Sequence, residues 1–305
     1  MRLLSERQTD SENLSFSAIC LGLVGVVSCL SSFFPLLSLF AVLFLPLVGA
    51  VESYCCKARY IVAFALGAGI IGPLLGAYSV DNVLFFVLPS VYAGLAYGYG
   101  LRKGMGDEIL VFVSALVETI LFFASIAFIY AVYGIDMRKA VFSLLGKDGE
   151  AAYAIFPLFG FAYSLCQAGI SHLIIYNLGS RMSMQMQKGL DISSFEDGFA
   201  ILMLSACFGI AYLDISAAYL CFGLGAYFAL YSLRRIVKGR WLIACAIALC
   251  AITMLASAYL YSRLPENAGM ISFALFLLPL PLLSLSSKLI NLAKKPAKGH
   301  RDDEK

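Results

Sequence analysis

Residues 109–133 carry a single ionisable side chain, Glu118, and that run limits what the rest of the chain can be. As a helix rising about 1.5 Å per residue it outruns the roughly 30 Å hydrocarbon core of a bilayer, so it reads as a membrane span. Glu118 then falls near mid-depth, where a bare carboxylate costs at least about 3 kcal/mol. The group must be protonated, paired or turned to a polar interior. Ser114 lies one turn before it and Ser125 two turns after, so the three side chains share one helix face.

Composition agrees with a membrane solvent. Of 305 residues, 61% are hydrophobic and 13% charged, and the mean hydropathy of +0.87 exceeds what a water-soluble core absorbs. The expected class is an all-α polytopic integral membrane protein. The net charge of +3 is small, and the Lys and Arg residues sit in short loops and the C-terminal tail, which argues against a nucleic-acid partner. Residues 1–13 mix acids with arginines and lead into an apolar run without a small-residue cleavage site, so the first span is expected to be retained. Nine cysteines without a C-x-x-C pair, and only two histidines, His172 and His300, give no reason to expect a metal or a cofactor. The cysteines read as reduced, small apolar residues. No H-E-x-x-H, G-x-S-x-G or Walker A motif occurs, so no enzymatic activity is expected.

Ten spans are expected, with nine or eight as alternatives: residues 15–34, 35–51, 60–80, 83–101 and 109–133, then 151–177, 195–213, 214–233, 241–262 and 268–286. Residues 134–150 mix Ile135, Val141 and Leu144 with Arg138, Lys139 and Lys147, as in a short helix on the membrane surface or a structured loop. The chain thus divides into a cytoplasmic segment 1–14, membrane halves 15–150 and 151–287 of five spans each, and a basic cytoplasmic tail 288–305. Cytoplasmic loops are enriched in Lys and Arg. With both termini inside, only Arg138, Lys139, Lys147 and Arg263 of the 22 Lys and Arg residues fall outside. Splitting 195–233 at Asp214 preserves that bias, and the expected location is the inner, cytoplasmic membrane. Ser193 with Glu196, and Ser194 with Asp197, have capping-box spacing at the start of the seventh span.

Small residues form ladders: Ala68, Gly72 and Gly76 in the third span, Gly94 and Gly98 in the fourth. Such spacing lets backbones approach, so these two helices are expected to pack against each other. Pro73 and Pro89 remove backbone donors from the same helices and permit kinks. In the sixth span Tyr163, Ser164, Gln167 and Ser171 recur at helical spacing. Set against Ser114, Glu118 and Ser125, this second stripe would line a pocket for a polar or cationic small solute. Hydrogen bonding between helices, without a ligand, accounts for the same residues.

The retained first helix, the 34–46 hairpin with its F-P-L-L and F-L-P-L runs, the glycine-rich third and fourth spans, the Leu101-Arg102-Lys103-Gly104 turn and the Tyr133-Gly134-Ile135-Asp136 end resemble the YybS-like family of multi-pass bacterial membrane proteins. That family has no assigned activity. Its N-terminal portion is similar in layout to the substrate-binding subunits of energy-coupling-factor transporters and, more loosely, to the rod-shape protein MreD. The resemblance implies a transport-related or small-solute-binding protein. It also implies docking of a membrane-protein partner on the first helix, where Ala18 and Gly22 stand at the positions of an A-x-x-x-A pattern. The alternative is a non-catalytic membrane scaffold in cell-envelope assembly.

Overall fold

The computed structural model describes residues 7–34, 36–144, 149–181, 184, 193–237, 240–264 and 268–294. The chain before residue 7 and the basic tail after 294 lie outside the described residues. Thr9 opens α1 (Asp10–Phe33): its Oγ1 accepts the Glu12 N–H at 3.3 Å, and Glu12 accepts the Thr9 N–H at 3.2 Å. This capping box starts the helix ahead of the apolar run expected at residue 15. Next come α2 (Leu37–Cys55) and α3 (Ala58–Leu75). A tight turn at Ala77–Ser79, the turn Val80–Asn82 and a π-wound turn at Val83–Val87 lead into α4 (Leu88–Arg102). α5 (Asp107–Tyr133) ends at Gly134, whose φ of 67° suits glycine and whose N–H bonds back to Tyr130 O.

The segment after α5 forms the short amphipathic helix α6 (Met137–Leu144), followed by α7 (Glu150–Arg181) and α8 (Ser193–Ile210). Asp214 breaks the chain as expected, and its carboxylate accepts the N–H groups of Ser216 and Ala217 to cap α9 (Ile215–Ile236). α10 (Arg240–Tyr261) and α11 (Pro279–Lys294) complete the chain, the latter entered through turns at Gly269–Ser272 and Phe273–Leu277. Among the described residues every regular element is helical, and nine spans are long and apolar enough to cross a bilayer. This is a multi-pass membrane protein. Its burial is inverted relative to a soluble fold: Leu66, Ile70 and Leu74 of α3 are 65%, 68% and 70% exposed, whereas Glu52, Glu118 and Asp197 are at most 2% exposed. Apolar side chains facing outwards are stable in lipid and would be an aggregation surface in water.

The described helices form two compact units, residues 1–147 with 159–190, and residues 148–158 with 191–305. The division therefore does not fall at residue 150, since most of α7 packs with the first five helices. Within the first unit α1 lies on α3, α2 on α4, and α4 on α5. The span at Ala77–Arg102 is the most enclosed of all, so α4 is the post around which this unit is built. In the second unit α8 lies on α9, and α11 packs against both.

The glycine ladders are used, with a correction of partner for Gly94 and Gly98 alone. A Cβ on Gly94 would fall 2.2 Å from Pro46 O and one on Gly98 2.1 Å from Ala50 O, both on α2 rather than α3. The reason is that α2 presents its own small stripe of Pro46, Gly49, Ala50 and Ser53, so both backbones close the gap. On the α3 side the expected contact with the fourth span is present: Gly72 faces Leu88 and Val83 beside Ser28 of α1, Gly76 just past α3 faces Val83 and Ser32, and the Tyr92 hydroxyl donates to Ala65 O at 2.8 Å. Replacing Gly94 or Gly98 by Ala should therefore lower thermal stability in detergent, by about 1 to 3 kcal/mol for overpacking of this kind. Gly22→Ala, where no atom lies within 4 Å of the added carbon, should leave the melting temperature unchanged.

Candidate functional site

Pro89 sets the local geometry. In the π-wound turn the Leu88 N–H donates to Val83 O. The next carbonyl in that register belongs to Leu84 and would take its donor from residue 89, where proline has none. Ser125 of α5 supplies it, its single hydroxyl proton shared between Leu84 O at 2.9 Å and its own Leu121 O at 2.8 Å. Towards the other end of α5, Ser114 Oγ donates to Ala93 O at 3.3 Å. These two hydroxyls bind α5 antiparallel to the fourth span. Glu118, between them on the same face, comes level with Pro89 and Ser90.

The stripe on α7 arrives at that level. Ser90 Oγ donates to Phe86 O at 2.6 Å and accepts from Gln167 Nε2 at 2.9 Å. The Tyr163 ring sits against Phe122 of α5 at 5.8 Å between centroids. A turn further along, the Tyr97 hydroxyl bonds His172 Nδ1 at 2.8 Å. Ser114, Ser125 and Gln167 thus join helices, and Ser164 turns back on Gly160 O. Glu118 does not. It is buried, and neither carboxylate oxygen has a hydrogen-bond partner among the described residues. The buried Ser171 Oγ is likewise without one.

Two polar clusters escaped the sequence reading. Glu52, near the C-terminal end of α2, is fully buried and accepts a hydrogen bond from Ser17 Oγ, with the thiols of Cys20 and Cys56 beside it. Cys55 and Cys56 close α2 and are buried, and Arg102 Nη1 donates to Cys56 O at 2.7 Å. The second cluster lies in the other unit. Asp197 Oδ1 accepts from Ser232 at 2.6 Å and Arg235 at 2.8 Å, and Oδ2 accepts from Ser284 and Lys288, each at 2.8 Å. Arg235 also pairs with Glu196. These acids, expected to cap their own helix, instead bind α8 to α9 and α11, because two buried carboxylates need cations that a helix terminus cannot offer. Glu196 and Asp197 balance Arg235 and Lys288, so the cluster carries no net charge.

No protein family, curated protein or solved structure matches the chain, and among the described residues no His, Cys, Asp and Glu side chains group to hold a metal ion. Among the described residues Glu52 keeps one buried oxygen unbonded, and Glu118 keeps both, which makes Glu118 the outstanding chemical feature. Removing one partner from a buried ion cluster typically costs about 3 to 5 kcal/mol, so Asp197→Ala should destabilise the protein by that order in a detergent melt. Serine replacements at Ser232 or Ser284 by Ala should cost less. For Cys56, burial and the neighbouring Glu52 carboxylate push the thiol up to about 12. The thiolate is the reactive form, so a variant retaining only Cys56 should resist maleimide at pH 7 in the folded state and react once unfolded in detergent at high temperature.

Proposed function

We propose that this chain is a transport-related, small-solute-binding protein of the inner (cytoplasmic) membrane, with the solute held at the seam of α4, α5 and α7. The observation that carries the reading is Glu118: buried, bracketed by serines that fix its height, and left with both oxygens unbonded among the described residues. Interhelical glue explains Ser114, Ser125 and Gln167 and does not explain an acid with nothing to hold. Tyr163 and Ser171, on the facing stripe, supply a ring and a hydroxyl. The proposal includes ten spans, with α8 as the tenth, both termini cytoplasmic, and kinship in layout with energy-coupling-factor substrate-binding subunits.

A second reading, a scaffold that docks a partner helix, is favoured by the outer face of α1. Ala18 and Gly22 are exposed there, in line with Leu14 and Val26, and nothing lies within 4 Å of a carbon added at Gly22. Docking and solute binding are compatible, as a capture subunit has to do both.

Topology is tested by single cysteines: one at Asp81 should be labelled by an impermeant maleimide from outside intact cells, and one at Lys103 should not. The opposite pattern inverts the proposed orientation. For binding, a panel of small polar and cationic solutes should include members that raise the melting temperature of the purified protein, since a ligand at a hundred times its Kd contributes about 2.7 kcal/mol. Glu118→Gln should abolish that rise while folding normally. If Gln behaves as the parent in every assay and Leu merely destabilises, Glu118 is structural and solute binding at this seam is excluded.

A further inference from the structure

We infer that the Glu118 site takes up a small monovalent cation, an alkali ion or an ammonium group, in exchange for a proton. This rests on the solute-binding reading above and narrows it to one chemistry. The groups that reach this level of the seam are acceptors or neutral. α5 offers the two oxygens of Glu118, with Ser114 and Ser125 already committed to the backbone carbonyls of Ala93 and Leu84. α4 offers Ser90, whose proton is committed to Phe86 O. α7 offers Tyr163, the titratable group packed on Phe122 of α5, and Gln167, whose amide nitrogen is directed to Ser90 and whose oxygen therefore remains an acceptor. No Lys, Arg or His among the described residues forms an ion pair with Glu118.

An anionic ligand would meet the like charge of Glu118 and, among the described residues, no cationic side chain paired with that acid. A divalent ion would find one carboxylate where it needs several. A monovalent cation finds a carboxylate, an amide oxygen and an aromatic ring, the set that binds alkali and ammonium ions elsewhere. Before it arrives, a bare carboxylate at this depth is too costly to persist, so the group holds its proton. The step balances: the cation and the carboxylic acid give a carboxylate–cation pair, and the proton leaves to water. Raising the pH removes the competing proton, so the apparent Kd falls about tenfold per pH unit while the empty site is protonated.

The test uses the full-length protein in detergent. Sodium, potassium and methylammonium chlorides are titrated at pH 6, 7 and 8, with N-methylglucamine chloride holding the ionic strength and a neutral polyol as the uncharged probe. The melting temperature reports binding, and a pH dye in weak buffer reports released protons. At least one of the three cations should stabilise the protein, with Kd falling about tenfold per pH unit, and should release close to one proton per site. Glu118→Gln should show neither effect. Should that variant fail to fold, Tyr163→Leu serves instead, weakening affinity at every pH without changing the slope. A Kd independent of pH, or proton release undiminished in Glu118→Gln, overturns the exchange. Stabilisation by the polyol alone, lost in Glu118→Gln, overturns the exchange and keeps the solute-binding reading. No response to any probe, with Glu118→Gln as stable as the parent, removes both.

Discussion

A backbone carbonyl without a donor inside a bilayer costs several kcal/mol, because no water is there to replace the missing bond. Pro89 creates that situation at Leu84, and much of the first unit follows from how it is relieved. The π-wound turn shifts the register so that the orphaned carbonyl faces α5, and Ser125 caps it. With Ser114 repeating the contact near the other end, α5 has one height and one rotation against the fourth span. Glu118 then cannot turn to lipid. Its placement is a consequence of satisfying a neighbour's main chain.

Helices in lipid gain no hydrophobic free energy from associating, since the tails are as apolar as the side chains. The two units answer that in different ways. In the first, Gly49, Gly94 and Gly98 let α2 and α4 approach until carbonyls meet α-carbons, and dispersion with a few hydroxyl bonds holds the pair. In the second, charge does the same work: one aspartate collects four donors from two other helices. A neutral, fully bonded cluster of this kind specifies one arrangement of helices, because any rotation strands an ion away from water.

What the sequence shows and hides follows the same physics. Span lengths, the Asp214 turn and the Gly134 stop are legible because lipid imposes length and because caps are local in the chain. The faces of Ser114, Glu118, Ser125, Tyr163 and Gln167 are legible from helical period alone. Partners are not. Small residues occur on α2, α3 and α4, so spacing shows that some helix approaches and leaves open which one, and the pairing of α4 with α2 was missed for that reason. The acids were missed differently. Glu52 sits at the end of its apolar run, where a carboxylate is usually solvated, and its Ser17 partner is 35 residues away. The T-x-x-E box of α1, by contrast, is local in the chain and legible from residues 9–12 alone.

The Asp197 cluster also has an order in time. Arg235 follows Asp197 by 38 residues and Lys288 by 91, and at a synthesis rate of roughly 5 to 20 residues per second the last of these is made several seconds after the acid. During that interval α8 has an aspartate whose final set of donors does not yet exist. It must remain near the aqueous boundary, or shelter against the insertion machinery, until α9 and then α11 emerge. The C-terminal helix is in this sense the latch of assembly: a chain released short of it would carry an acid with half its partners, and such a chain offers quality-control proteases a chemical mark by which an unfinished membrane protein differs from a finished one.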